Sequence, residues 1–259
     1  MKQQFFKYQG AGNDFIMIDN RDKKFDCTDT ALIESLCHRR FGIGSDGLIL
    51  LENAEDYDFR MVYFNSDGRE ASMCGNGGRC IVTFAKMLGI IDSVARFIAS
   101  DGEHEGMVDE NNLVDLHMID VKEISSLIDG YFLNTGVPHL VHFVDDLHVV
   151  DVEIEGRQLR YDARFQPAGT NVDFVKIDDN QLTVYTYERG VEAETLACGT
   201  GIVASALSAA YKKGIEKGEF PVVAKGGHLR VKFEKQNGYF TNIWLKGPAE
   251  MVYSGVVEI

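Results

Sequence analysis

The sequence has no run of about 18 or more apolar residues, the length that a membrane-spanning helix needs. Its opening stretch, MKQQFFKYQGAGNDF, has no apolar core of signal-peptide length. Both absences predict a soluble, cytoplasmic protein with no membrane partner. Positive charge is scarce as well: 26 Lys and Arg stand against 40 Asp and Glu, a formal net charge of −14. Such a field repels polyanions and argues against nucleic acid as a partner. An anionic small molecule would need local basic groups or backbone donors. The five cysteines are an odd number without secretory marks, and no Cys-x-x-Cys pair is among them. Reduced thiols fit this better than a disulfide framework.

Regular strand–helix alternation is also missing, which argues against a Rossmann sheet. With 259 residues, 45% apolar and 25% charged, the chain can bury one large core or two ordinary ones. Short apolar-alternating runs dominate, among them DFIMID, DGLILLE, DFRMVYFN, HLVHFVDD, NVDFVKID, QLTVYTYE, HLRVKFEK and YFTNIWLK. Each has strand length and strand composition. The Asn-Gly of KQNGYF marks a tight hairpin. Helices are predicted over residues 29–40 with Asp29 as cap, 76–88, 200–213, and, interrupted by Gly156, 149–163. Many strands and few helices make an α+β fold.

The chain echoes itself at domain scale. GNDFIMIDN (12–20) resembles GTNVDFVKIDD (169–179), and YFNSDGREASMCGNG (63–77) resembles TYERGVEAETLACGTG (186–201). Two pairs in the same order predict two homologous halves, residues 1–119 with 250–259 and residues 120–249. Each half would carry one Cys-Gly-x-Gly turn opening a helix, at Cys74 and at Cys198.

Four chemistries suit such a turn: metal, phosphate, disulfide or nucleophile. Cys74 and Cys80 are six residues apart, and Cys198 has no nearby Cys or His, so structural zinc does not fit and no metal is expected. Neither turn continues into Gly-Lys-Ser/Thr or a clean G-x-G-x-x-G. Cys27, Cys37 and Cys80 read as packing residues. A cysteine just before a helix start differs, because the N–H groups and the positive dipole end favour its thiolate. Those N–H groups also suit a carboxylate. Two such thiols match a carbon inversion, where one face loses a proton and the other gains one. A disulfide switch between Cys74 and Cys198 is the rival from another class.

The chain resembles the diaminopimelate epimerase family. The resemblance rests on GAGNDFIMID, RRFGIGSDGLIL, YFNSDGREASMCGNGGRC, TGVPHLV, GTNVDFV and YERGVEAETLACGTG, which run from residue 10 to 201 in the family's order. It implies two pseudo-symmetric halves, each a curved, mostly antiparallel sheet wrapped around a central helix, with the site in the cleft between them. It also implies a cofactor-independent isomerase of lysine and peptidoglycan precursor synthesis, acting on a small amino-acid substrate and allowing a homodimer. Cys74 and Cys198 would be the catalytic thiols, with His139 assisting Cys74 and Glu188 assisting Cys198. Gly75, Asn76, Gly199 and Thr200 would hold the reacting carboxylate through their backbone N–H groups. Asn13, Asn65, Asn171, Glu188 and Arg189 would recognise the distal end. Val137 and Gly47 depart from a common family pattern of Asn and Gln. Proline and hydroxyproline racemases are the nearest rivals, but typically carry His where Asn76 stands.

Overall fold

Apolar and polar residues alternate over short runs, and Gly, Asp and Asn break those runs at turns, so strand follows strand for most of the chain. The computed structural model describes residues 2–259. It divides into two compact units, one made of the chain up to Leu116 with Gly247–Ile259, the other of His117–Lys246. Among the described residues, no helix is long and apolar enough to cross a membrane.

The first unit holds β1 (Lys2–Gly10), β2 (Asn13–Asp19), β3 (Gly47–Glu52), β4 (Phe59–Asn65), the short β5 (Glu70–Ala71), β6 (Val94–Ala99), β7 (Gly102–Val108) and β8 (Leu113–Met118). Helix α1 (Thr30–Cys37) links β2 to β3, and α2 (Gly75–Met87) links β5 to β6. The second unit holds β9 (Ile124–Leu127), β10 (Gly130–Asn134), β11 (Pro138–Phe143), β12 (Asn171–Asp178), β13 (Gln181–Glu188), β14 (Ala193–Thr195), β15 (Lys217–Ala224), β16 (Gly227–Gln236) and β17 (Tyr239–Pro248). Its helices are α3 (Val152–Arg160) and α4 (Gly199–Lys213). The last strand, β18 (Glu250–Glu258), pairs with β1 in the first unit.

The pairing order is the same in both units. From β18 through β1, β2, β3, β4, β6 and β7 to β8, successive pairs run antiparallel, antiparallel, parallel, antiparallel, parallel, antiparallel, antiparallel. From β9 through β10, β11, β12, β13, β15 and β16 to β17 the list is identical. Each parallel pair needs a crossover, and the four helices supply them.

This topology corrects one half of the sequence repeat. The turns at Cys74 and Cys198 do occupy equivalent places, after β4–β5 and after β13–β14. GNDFIMIDN and GTNVDFVKIDD do not. The first forms β2, whose equivalent is β11, and the second forms β12, whose equivalent is β3. Both are strands with an Asn near the start and alternating apolar residues, and that shared pattern produced the likeness.

Side-chain alternation splits each sheet into two faces. In the first unit Ile16, Ile18, Leu48, Leu50, Val62 and Phe64 pack with Ile33, Leu36 and Cys37 of α1. The opposite face carries Phe15, Ile49 and Met61 against Gly77 of α2. In the second unit Val172, Phe174 and Tyr187 pack with Val152 of α3, while α4 lies against β10 to β13, β15 and β16. Both α2 and α4 are buried along most of their length. Each is a central helix.

Several elements differ from the sequence expectation. Helix α1 stops at Cys37 because the next residues fold back onto it. Gly44 and Ser45 donate to the Leu36 and Cys37 carbonyls at 3.0 and 2.9 Å. Asp29 caps its start, accepting from Leu32 N–H at 2.9 Å. The Asn237-Gly238 turn joins β16 to β17 with both φ angles positive, at 53° and 87°, as a tight hairpin requires. Cys37 and Cys80 are buried, but Cys27 is exposed and is no packing residue. It lies in the link before α1, where Phe25 two residues earlier enters the core and Cys27 does not. Strand β15 is not expected from the sequence, because Pro221 sits in it.

Gly156 does not interrupt α3; it is where α3 touches the sheet. A Cβ there would stand 2.5 Å from Tyr187 Cβ. Gly156→Ala is therefore expected to destabilise the protein by about 1–2 kcal/mol, because the clash outweighs the roughly 1 kcal/mol gain in helix propensity. Urea unfolding of the two proteins measures this, and equal midpoints would contradict it.

Candidate active site

In the first unit the candidate residues gather where β2 begins, β4 ends and α2 begins. Cys74 is the N-cap of α2, with extended backbone (φ −91°, ψ 132°) and no side-chain cap bond of its own. Its carbonyl accepts the Gly78 N–H at 2.7 Å, closing the first helical turn. Asn76, in that turn, is buried. A directional run of hydrogen bonds fixes its amide. Arg79 donates to Asn76 Oδ1 at 2.7 Å, Asn76 Nδ2 donates to Asn13 Oδ1, and Asn13 Nδ2 donates to Asp46 Oδ2 at 3.1 Å. Because a guanidinium only donates and a carboxylate only accepts, both amides have one permitted orientation. Asn65 ends β4 opposite Gly47 and is exposed.

The run ends in a charged cluster. Asp14 accepts from both Arg39 terminal nitrogens, at 3.0 and 2.7 Å, and pairs with the buried Lys7 at 2.7 Å. Arg39 also reaches Asp46 at 2.6 Å. Burial alone would raise Asp14, but the Arg39 and Lys7 hydrogen bonds and charges outweigh it and hold its carboxyl at about 2.

In the second unit Cys198 is the N-cap of α4, with extended backbone and a buried side chain. Its Sγ lies 3.3 Å from Thr200 Oγ1, and Thr200 Oγ1 lies 3.0 Å from His139 Nε2. His139 Nδ1 is 2.7 Å from Asp173 Oδ2, both side chains fully buried. Thr186 donates to the other Asp173 oxygen at 2.7 Å. With the proton on Nδ1 held by the carboxylate, Nε2 accepts from the Thr200 hydroxyl, whose oxygen is then open to the thiol. Burial, then the negative charge of Glu188 and Asp173, pushes the Cys198 thiol well above its ordinary range. The Thr200 hydroxyl and the Gly201 N–H act in the opposite direction.

Asn171 ties this unit's strand ends together. Its Nδ2 donates to the Pro138 carbonyl at 3.1 Å and its Oδ1 accepts the Arg189 N–H at 2.8 Å. Glu188 and Arg189, both half-buried, follow one another at the end of β13. One Arg189 guanidinium nitrogen donates to the Ala168 carbonyl at 3.1 Å.

A family model described as "Diaminopimelate epimerase" matches residues 5–116 and 131–252. The diaminopimelate epimerase of Flavobacterium psychrophilum is 50% identical over 255 residues, covering 98% of this chain and all of that protein. The diaminopimelate epimerase of Chlorobaculum tepidum is 42% identical, covering 96% and 99%. This chain belongs to the diaminopimelate epimerase family. Solved structures share the fold at low identity. A PhzF-family phenazine biosynthesis protein of Bacillus anthracis superposes at a TM-score of 0.77 with 15% identity, covering all of both chains. A hydroxyproline epimerase of Agrobacterium vitis superposes at 0.72 with 14% identity, covering 99% and 92%.

For a diaminopimelate epimerase-family chain, Gly47 has a steric cause. A Cβ there would stand 2.5 Å from the Phe64 carbonyl oxygen and 2.6 Å from the Tyr63 ring, so Tyr63 fills the place a longer residue would take. Val137 lends its carbonyl to the Thr135 N–H at 3.2 Å, a contact any residue type can make.

Sequence reasoning missed Asp173, Thr186, Asp46 and Arg79. Asp173 was within reach: it stands two residues after Asn171 in a strand, and so on the same face. The others carried no local signal, because their partners lie in distant strands or in another turn of the helix.

The Asp14 cluster makes a pH prediction. A carboxyl depressed in the folded state contributes stability above its unfolded pKa of about 4, and that stability is lost as pH falls toward 2. Asp14→Asn should cost about 1 kcal/mol at neutral pH after solvent screening, with the difference vanishing near pH 2. Urea unfolding across pH tests this, and a difference independent of pH would contradict it.

Proposed function

We propose that this chain interconverts LL- and meso-diaminopimelate, with Cys74 and Cys198 acting as the base and acid of a two-base inversion without pyridoxal phosphate. The observation that carries this reading is the equivalence of the two thiols. Each is the extended N-cap of a buried central helix, reached through topologically identical strands. Full-length similarity to diaminopimelate epimerases supplies the substrate. The product would serve lysine and peptidoglycan precursor synthesis.

In this mechanism one thiolate takes the α-proton from one face of the carbon, so a C–H bond breaks and an S–H bond forms. The thiol on the other face gives up its proton, and a C–H bond forms with inverted configuration. No electrons are exchanged with another molecule, and the two sulfurs swap protonation states. Negative charge develops on the reacting carboxylate as the proton leaves. The first-turn N–H groups of Gly75, Asn76, Gly199 and Thr200 stabilise it, aided by both helix dipoles.

His139 and Glu188 take and return the thiol protons. In this reading His139 serves Cys74 and Glu188 serves Cys198, as the family resemblance suggests, and the run through Thr200 also gives His139 a route to Cys198. At the distal end the Arg189 guanidinium suits the second carboxylate, and Glu188 suits the second ammonium. Asn65 adds a contact there. Asn13 and Asn171 add the remaining valences of amides that also brace their own units.

The reduced protein should exchange the α-hydrogen of diaminopimelate in deuterated water with no added cofactor, and should not invert proline. Cys74→Ala and Cys198→Ala should each lower epimerisation by at least about a thousandfold, the range of a lost general acid or base. Full activity in either variant would overturn the two-thiol mechanism. Inversion of proline but not diaminopimelate would overturn the substrate.

A further inference from the structure

Among the described residues, Arg79 is the largest fully buried side chain. It lies one turn into α2, five residues after Cys74. Its three polar contacts are all to neutral oxygens: the Pro248 carbonyl and the Gly75 carbonyl, each at 3.3 Å, and Asn76 Oδ1 at 2.7 Å. Among the described residues no carboxylate pairs with it. A buried guanidinium without a counter-charge is costly, since hydrogen bonds to carbonyls replace only part of its lost hydration. An anion forming beside it would offset that cost.

Its contacts with the Gly75 carbonyl and the Asn76 side chain, the two residues after Cys74, hold the guanidinium at the first turn of α2, with Cys74 before that turn and Cys80 next to Arg79 in the helix. Burial pushes Cys80 up to about 12, so it stays neutral. The phenol of Tyr8, facing Cys80, is likewise pushed up to about 12 and stays neutral. Cys74 remains. A charged group from another element, Asp101, also reaches the turn; it lies at the surface, bonded to His104 at 3.1 Å and reached by the Met73 N–H at 3.4 Å. Solvent screens it far more than the buried guanidinium.

The second unit has the opposite polarity. The helix position equivalent to Arg79, five residues after Cys198, is the buried Val203. Around Cys198 stand the carboxylates of Glu188 and Asp173, with neutral Thr200 between the sulfur and His139. The sheet beneath the two helices differs in the same sense. Register matches Ile16, Leu48 and Phe64 to Leu140, Val172 and Tyr187. Phe15, Ile49 and Tyr63 in one unit are therefore replaced by His139, Asp173 and Thr186 in the other. One thiol has a cation and apolar support, the other anions and a polar network.

We propose that Arg79 is a positioning residue for charge: its buried guanidinium holds Cys74 as the thiolate of the resting enzyme, while Cys198 rests as the thiol. This deepens the two-thiol reading and takes its catalytic meaning from it. The resting enzyme is then poised to abstract a proton with Cys74 and deliver one with Cys198. The reverse direction must first move a proton between them.

The test is alkylation of the reduced, substrate-free enzyme by iodoacetamide across pH, with each cysteine followed by peptide mass spectrometry. The midpoint of each rate profile reports that thiol's ionisation, independent of how accessible it is. In the wild type the Cys74 midpoint should lie below that of Cys198. In Arg79→Met it should rise by about one pH unit or more, slowing Cys74 alkylation near pH 7 about tenfold, and Arg79→Lys should retain most of the wild-type value. A Cys74 midpoint at or above that of Cys198 in the wild type overturns the proposal without any variant. So does an unmoved midpoint in folded Arg79→Met, even if its KM rises, which would assign Arg79 to the substrate carboxylate. Equal shifts in the Met and Lys variants would mark a purely structural role and also overturn it. Full activity of Cys74→Ala is a separate result, which would remove the two-thiol reading itself.

Discussion

The start of a buried helix is the constraint on which the rest of the structure depends. The first-turn N–H groups of a helix have no acceptor within it, and the dipole concentrates positive potential there. Placing a cysteine at the N-cap puts sulfur at the edge of that potential, and glycine on either side of the second residue after it keeps the backbone open to a ligand. The architecture of each unit follows from keeping such a helix buried and fixed. Strands cover α2 and α4, and the parallel pairs force the crossovers that create them. Glycines allow the close approach: a Cβ on Gly201 would stand 2.3 Å from Asp173 Oδ1, and one on Gly77 2.9 Å from Ile49 Cδ1.

The two units share a topology and differ in chemistry. Where the first packs Phe15 and Ile49 under its helix, the second packs a histidine and an aspartate. Where the first buries an arginine in the helix, the second buries a valine. The shared topology supplies two equivalent sulfurs, and in the proposed mechanism the difference between their neighbours is what makes the two thiols unequal. An inversion needs both properties: like groups on two faces, and one of them already deprotonated.

Much of this was legible in the sequence, for identifiable reasons. The Cys-Gly turns, the capping Asp29 and the Asn237-Gly238 hairpin are local, and local chemistry survives folding. The likeness of 12–20 to 169–179 misled because alternation is a property of any half-buried strand, and equivalence is decided by pairing. Cys27 misled because burial rates for cysteine describe a population, whereas in this link Phe25 enters the core and Cys27 does not. Gly156 read as a helix breaker because its cause, Tyr187, is 31 residues away in a different strand. The hydrogen-bonded runs from Arg79 to Asp46 and from Cys198 to Asp173 were out of reach for the same reason. Their members come from separate strands and turns.

The central claim is that two different groups handle the proton on the two faces of one carbon. The most direct measurement is the position of deuterium early in the reaction, when LL-diaminopimelate is converted in deuterated water. Two bases predict that the meso product carries deuterium at the inverted carbon from the first turnover, while recovered substrate stays unlabelled. A product that retains the original hydrogen, carried from one face to the other by a single group, would contradict the account.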